Sequence, residues 1–331
     1  MKSRLHAVMQ ILILAFTILA TGSAYASVPA LTVVGNQVLV GGEAESLAGN
    51  SFFWSNTGWG QEKFYNASVV KWLKSDWGST IVRAAMGVDN DGSYLTDPDG
   101  NLSRVETVVN AAIANDMYVI IDFHTHHGES HKAAAIKFFK KMATLYGSYN
   151  NVIYEIYNEP LQVSWSNVIK PYATAVITAI RSIDEDNLIV VGTPSWSQDV
   201  DVASYDPIDG TNIAYALHFY AGTHGQSLRN KALTALNNGI ALMVTEWGTV
   251  NSDGDGSVAK QSTNTWIQFL KDNDISFVNW AVSDKDEGAS IVNSGASAYG
   301  NWSASDLTAS GKFVKSIIST EGDAIPSTSS N

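Results

Sequence analysis

Short apolar runs and helix-period stretches alternate along most of the chain. Residues 80–86, 118–123, 152–160, 187–192, 212–220, 240–246 and 275–281 are dense in Val, Ile, Leu and aromatic side chains, with little alternation of polar and apolar positions. That pattern belongs to strands buried on both faces, as in a parallel sheet covered by helices. A shorter run at 51–54 brings the number to eight. Between the runs, 67–77 sets Val69, Val70, Trp72 and Leu73 toward one helical face. Residues 104–115 do the same with Val105, Val108, Val109, Ala112 and Ile113. Further helices are expected over 132–146, 166–183, 228–237, 258–270 and 307–319, and only the connection 193–211 lacks a helical pattern. Upstream, 31–40 carries two apolar runs about a Gly-Asn turn and reads as a small hairpin, placed to plug the bottom of the domain.

Eight strand–helix units over about 290 residues predict an α/β fold, a closed (β/α)8 TIM barrel with a small N-terminal β-hairpin. A doubly wound open sheet is the alternative, but no Gly-rich phosphate loop follows the first strand to support it. The strand at 152–160 ends in Asn158, Glu159 and the chain breaker Pro160, and the strand at 240–246 ends in Glu246 beside Trp247-Gly248. Two carboxylates therefore emerge from the ends of two different strands, on the face where such a barrel collects its reactive groups. Arg83, His124, His218, Tyr220 and Trp280 stand at corresponding strand ends.

Composition narrows the compartment and the partners. The 331 residues contain no cysteine, so no disulfide framework exists and the compartment is read from elsewhere. Residues 1–26 supply Lys2 and Arg4, an apolar run over 11–20 and a small-x-small site at Ala24-Tyr25-Ala26, read as a secretory signal peptide. That run is too short to span a bilayer comfortably, and no later one approaches the length. The expectation is a soluble, extracellular monomer with no membrane partner. Its barrel domain would occupy 27–320, and the polar composition of 321–331 reads as the start of a linker. Removing Lys2 and Arg4 takes the formal charge from −12 to −14, which argues against a nucleic-acid partner. Ten Trp and thirteen Tyr offer flat apolar faces, either as packing or as platforms for sugar rings.

A lone Glu at a strand end is commonly a salt bridge or a loop anchor. Two on roughly opposite strands, about 5 to 5.5 Å apart, are what cleavage of a glycosidic bond with retention requires. One attacks the anomeric carbon and the other protonates the departing oxygen. Burial and neighbouring negative charge would raise the acid's pKa, while Arg83 and hydrogen-bond donors would keep the nucleophile ionised.

At these residues the chain resembles glycoside hydrolase family 5, and within it the bacterial endo-β-1,4-glucanases, or cellulases. The resemblance covers nearly the whole mature chain. It is carried by Ser51 to Gly60 (Ser-Phe-Phe-Trp-Ser-Asn-Thr-Gly-Trp-Gly), Ile81-Val-Arg-Ala-Ala-Met86, Ile120-Ile-Asp-Phe-His124, Tyr154-Glu-Ile-Tyr-Asn-Glu-Pro160, His218-Phe-Tyr-Ala-Gly-Thr-His224, Val244-Thr-Glu-Trp-Gly248 and the stretch from Asn279 to Glu287. It implies a barrel, retention of anomeric configuration and no required cofactor. It also implies Glu159 as general acid/base, Glu246 as nucleophile, Arg83 orienting Glu246, and Asn158 bonding the sugar 2-hydroxyl. His218 and Tyr220 would flank the reacting sugar, with His124 lining the subsite where the bond breaks. Trp280 would lie under that ring, with Lys285, Glu287, Trp54 and Trp59 holding sugars toward the non-reducing end. The family more often has Trp where this chain has Phe123, an aromatic exchange of little consequence.

The function so implied is a secreted bacterial endoglucanase acting on β-1,4-glucan, with a mannanase, a xylanase or a non-catalytic carbohydrate-binding barrel as rival readings. Other signals are set aside. His124, His126 and His127 lack an acidic partner at metal-ligand spacing, and no metal is expected. Asp253-Gly-Asp-Gly256 and Asp89-Asn-Asp-Gly92 read as ordinary turns, since Asn264 stands where the first would need the Glu of a calcium loop.

Overall fold

The alternating patterns close on themselves. In the computed structural model, which describes residues 28–321, β1 (Leu31–Val34) and β2 (Gln37–Val40) form a separate antiparallel pair with Leu31 opposite Val40. Eight parallel strands follow: β3 (Ala48–Phe52), β4 (Ile81–Gly87), β5 (Tyr118–His124), β6 (Val152–Glu155), β7 (Ile189–Val191), β8 (Ile213–Tyr220), β9 (Leu242–Gly248) and β10 (Phe277–Val282). Each pairs with the next, and β10 pairs back to β3, so the sheet is a closed barrel. Its outer layer is α1 (Ala67–Trp77), α2 (Pro98–Ala114), α3 (Lys132–Tyr146), α4 (Lys170–Arg181), α5 (Val200–Ser204), α6 (Gln226–Asn237), α7 (Lys260–Asp272) and α8 (Ala309–Glu321). The fold is thus the expected (β/α)8 barrel with its hairpin. Among the described residues no helix is long and apolar enough to cross a membrane. The expected signal at 1–26 and the tail after 321 lie outside the described residues.

Strand periodicity sorts the side chains into two cores. Val82, Ala84 and Met86 of β4, with Val119, Ile121 and Phe123 of β5, pack outward with Val69, Leu73, Val105 and Val109 of the helices. Ile81, Tyr118, Ile120, Ile153, Val190, Ala214 and Met243 point inward and form one cluster with Leu31, Val38 and Val40 of the hairpin. The hairpin therefore plugs the end of the barrel where the strands begin. Two residues further along β4, β5 and β6 the inward positions become Arg83, Asp122 and Glu155, all fully buried.

Two irregularities re-aim side chains near the other end. Along β9, Met243 pairs with Ala216 and Glu246 with His218, so three residues of β9 span two of β8. The same shift appears against β10, where Val244 and Trp247 pair with Phe277 and Asn279. This bulge lets the consecutive residues Thr245 and Glu246 both face inward, which an unbroken pleat forbids. A second shift, between Trp280 and Val282 of β10, accompanies the inward placement of Trp280.

Four elements depart from expectation. The first barrel strand covers 48–52 rather than 51–54, because Ala48, Gly49 and Asn50 give no apolar signal. At Gly49 a Cβ would come within 1.7 Å of the Ile81 carbonyl oxygen, so close strand approach selects glycine there. Helix α2 starts at Pro98, not 104. Asp97 caps it by accepting a hydrogen bond from the Gly100 amide, and Pro98 occupies the first turn. Strand β6 ends at Glu155, five residues short of Pro160. Ile156 donates to Val190, and the chain then leaves the ladder until the Glu159 amide reaches Thr125. Finally, 193–211 contains the short helix α5, preceded by a turn at Pro194–Ser197 in which Ser195, Trp196 and Ser197 take left-handed φ angles of 58°, 59° and 55°.

Candidate active site

Arg83 is the hub of the barrel's open end. Its Nε donates to Glu155 Oε2 at 2.7 Å, Nη1 to Glu246 Oε2 at 2.9 Å and Nη2 to Asn158 Oδ1 at 2.6 Å. Asp122 Oδ2 lies 3.0 Å from Nη2. Burial opposes the charge, but the three carboxyl groups hold the guanidinium pKa above its ordinary value. One planar fork thus ties together residues from β4, β5, β6, β9 and the loop after β6, a task suited to arginine rather than lysine.

Glu246 is clamped at both oxygens, with Arg83 on Oε2 and the Tyr220 hydroxyl donating to Oε1 at 2.8 Å. Glu159 faces it from the loop after β6. Its Oε1 is 3.0 Å from His218 Nδ1 and its Oε2 is 3.2 Å from His126 Nε2. Glu159, His218 and Glu246 each offer a donor atom to the cleft, and these atoms all lie within 4.8 Å of one another. A shared cation would fit by distance. Arg83 and a protonated His218 already supply the positive charge there, so the trio reads as acid–base machinery rather than a metal centre. His124 and His126 turn to different acids, Asp122 and Glu159. The Asp253 carboxylate accepts the Asp255 amide in a turn, as expected.

The protonation states differ from the expected split. Burial would raise Glu159, but hydrogen bonds from His126 and His218 bring it down to about 2. Burial works against charge on His218, yet contacts with Glu155 and Glu159 lift it to about 9. Burial, followed by the Glu159 charge, pushes Glu246 above the ordinary carboxylate value, against the pull of His218, Arg83 and Tyr220. The carboxyl expected to hold a proton is therefore the ionised one, because its proton sits on the adjoining imidazole.

The remaining predicted residues divide along the cleft. His124, on β5, bonds Asp122 through Nδ1 at 2.6 Å and stacks on Trp280 with centroids 5.1 Å apart and planes 4° apart. Burial and then Arg83 lower its pKa, so the ring is neutral. Trp54 stands edge-on to His124 at 4.2 Å. Phe53 packs on Trp280 and, edge-on, on Trp59. Lys285 pairs with Glu287 and holds Nζ 5.8 Å from the Trp59 ring centre. These residues share the β3–β10 side. On the β6–β9 side, Gln162, Trp196, Lys231, Glu159, His218 and Tyr220 are among the residues lining a recess of about 700 Å³.

Several residues of the site escape the sequence reading. Asp122 and Glu155 are charges set inside apolar strand runs, a legible signal. His126 bonds Glu159, although the sequence presents it only as one of three nearby histidines. Thr245 carries no sequence signal, since threonine is at home in any strand. Trp196 lies in the segment without periodicity, and its backbone conformation is one that non-glycine residues rarely announce.

Comparison with known proteins agrees with this geometry. Over 298 residues the chain is 63% identical to endoglucanase Z of Dickeya dadantii (strain 3937), covering 90% of this chain and 68% of that protein. It is 41% identical over 323 residues to an endoglucanase of Clostridium saccharobutylicum, covering 93% of this chain and 70% of that protein. Among solved structures, the catalytic domain of Thermobifida fusca endoglucanase Cel5A, in a variant complexed with cellotetraose, superposes with a TM-score of 0.82 at 31% identity. That match covers 87% of this chain and 96% of that one. With the family model described as cellulase (glycosyl hydrolase family 5) matching residues 39–286, the chain belongs to the family 5 cellulases.

Proposed function

We propose that the protein is an exported endoglucanase that hydrolyses internal β-1,4-glucosidic bonds of cellulose and related β-glucans, with retention, by double displacement. One observation carries the reading: Glu159 and Glu246 face each other with donor atoms within 4.8 Å, close to the spacing of about 5 to 5.5 Å between carboxyl groups at which one can attack an anomeric carbon directly. An inverting pair would stand farther apart, to leave room for a water. Glu246, oriented by Arg83 and Tyr220, attacks the anomeric carbon while Glu159 protonates the leaving oxygen. Water, deprotonated by Glu159, then attacks the glycosyl–Glu246 ester. Asn158 is fixed by Arg83 at the place where the 2-hydroxyl of the reacting sugar would lie. Trp280, His124, Trp54, Trp59, Lys285 and Glu287 line the non-reducing side, and the recess beside Trp196 takes the leaving chain. Cellotetraose in the Thermobifida relative supports a glucan occupant, and the leader-like pattern at 1–26 supports export.

Glu246→Gln should abolish covalent labelling by a 2-fluoro-glycoside, and persistent labelling would remove Glu246 from the nucleophile's role. Glu159→Gln should slow substrates with poor leaving groups far more than activated aryl glycosides; equal losses on both would count against it as the acid. Proton NMR of the first product should show the β-anomer, and release of reducing ends from carboxymethyl-cellulose but not mannan separates this reading from its neighbours.

A further inference from the structure

Glu155 and Thr245 form no bond to the sugar in the scheme above, yet both are buried against the imidazole that serves it. His218 presents Nδ1 to Glu159 Oε1 at 3.0 Å and Nε2 to Thr245 Oγ1 at 2.8 Å. The Thr245 hydroxyl in turn donates to Glu155 Oε1, and Glu155 is fixed as a carboxylate by Arg83 Nε at 2.7 Å. A hydroxyl has one proton. With that proton on Glu155, Thr245 can only accept from Nε2. Glu159, whose other oxygen lies 3.2 Å from His126 Nε2, is held as a carboxylate between the two imidazoles and accepts from Nδ1. The direction of every bond in the series is therefore set, and both ring nitrogens are donors.

We propose that Thr245 is a positioning residue which, backed by Glu155, holds His218 as an imidazolium and makes it the source of the proton that Glu159 delivers to the leaving group. This rests on the acid role of Glu159 argued above. In the first half-reaction the Nδ1 proton passes to Glu159 Oε1, leaving neutral imidazole and a carboxylic acid. That acid gives the proton to the glycosidic oxygen as the C–O bond breaks and the bond from Glu246 to the anomeric carbon forms. In the second half-reaction Glu159 takes a proton from water as hydroxide displaces Glu246, then returns it to Nδ1. The ledger closes on one water consumed, and no other reagent is needed.

The surroundings agree. Acidic groups approach His218 from β6 and its following loop (Glu155, Glu159), from β9 (Glu246) and from β5 (Asp122); basic groups are Arg83 on β4, His126 after β5 and the neutral His124. The β9 bulge makes the device possible, because it turns Thr245 inward without displacing Glu246.

The test is the pH profile of kcat/KM for Thr245→Val and Thr245→Ser. Removing the hydroxyl should move the alkaline limb down by about one pH unit, a tenfold change in proton affinity, and Thr245→Ser should restore it. Nitrogen-15 NMR of histidine-labelled wild-type enzyme, assigned with His218→Asn, should show both His218 nitrogens protonated at pH 7. The inference is overturned by an unmoved limb in Thr245→Val, by an equal shift in Thr245→Ser, or by a neutral His218 ring at pH 7. Should Thr245→Val fail to fold, the NMR titration decides alone. Labelling of wild-type Glu246 by a 2-fluoro-glycoside keeps the outcomes separate: labelling with an unmoved limb sinks only the role of Thr245, whereas absent labelling sinks the parent mechanism.

Discussion

At the residue scale, the charge state of three side chains sets the working pH. In the proposed mechanism Glu246 must be ionised to attack, and burial beside Glu159 holds its pKa above the ordinary carboxylate value. His218 must carry its proton, and it loses it near pH 9. The expected kcat/KM profile is therefore a bell, with an acid limb above the ordinary carboxylate value and an alkaline limb near 9. An acid limb well below that value would show that Arg83 and Tyr220 outweigh burial at Glu246. Stability follows the same contacts. His218 has its pKa raised on folding, so its contribution is complete below its unfolded value near 6.5 and disappears as pH rises through about 9. Glu159 is depressed, so its contribution is present above its unfolded value near 4.5 and is lost as pH falls toward about 2. Much of the site was legible in the sequence, because Arg83, His124, Asn158, Glu159, His218 and Glu246 each interrupt or end an apolar run. What could not be read is which carboxyl holds the proton. That depends on His126, in the loop after β5, and on Thr245 of β9, which reach Glu159 and His218 from elsewhere in the chain.

At the scale of elements, the barrel was legible because buried parallel strands must be apolar on both faces, and interruptions stand out. Boundaries failed where polarity is local. The start of β3 is built of Ala48, Gly49 and Asn50, and α2 begins at an Asp97-Pro98 cap ahead of its apolar period. The bulge in β9 was invisible for a different reason: it is a relation between strands, and nothing in Val244-Thr245-Glu246 alone announces it. The hairpin yields a sharper test. Leu31 is 5% exposed and packs with the inner bottom layer of the barrel, at the end away from Glu159 and Glu246. Leu31→Ala should cost about 2–4 kcal/mol of unfolding free energy, read as a lower urea midpoint, with kcat on a soluble cello-oligosaccharide unchanged at 25 °C. An unchanged midpoint would show that the hairpin lies outside the cooperative unit. A fall in kcat would show that strain is transmitted along the strands to the site.

On the scale of the whole molecule, charge separates binding from chemistry. The protein carries 32 acidic against 20 basic residues and a formal charge of −12, and the recess proposed for the leaving chain adds Asp199 and Asp253 to Glu159, with Lys231 as its lysine. A neutral glucan meets no long-range force from this field, whereas carboxymethyl-cellulose carries the same sign and is repelled before it docks. Raising ionic strength from about 0.01 to 0.15 M shortens the screening length from roughly 30 to 8 Å, which removes that repulsion but leaves the short, buried contacts around Arg83 in place. The expected result is a rise in kcat/KM on carboxymethyl-cellulose over this range, carried by a falling KM, with little change in kcat. The neutral cello-oligosaccharide should respond only weakly in either constant. If both substrates respond alike, salt is acting on the protein itself, through the coupled protons of Glu159, His218 and Glu246, and the alkaline limb should then move with ionic strength as well. The two causes are thus distinguished by repeating the pH profile at both salt concentrations: a fixed limb with a substrate-dependent KM assigns the effect to the approach of the chain rather than to the site that cuts it.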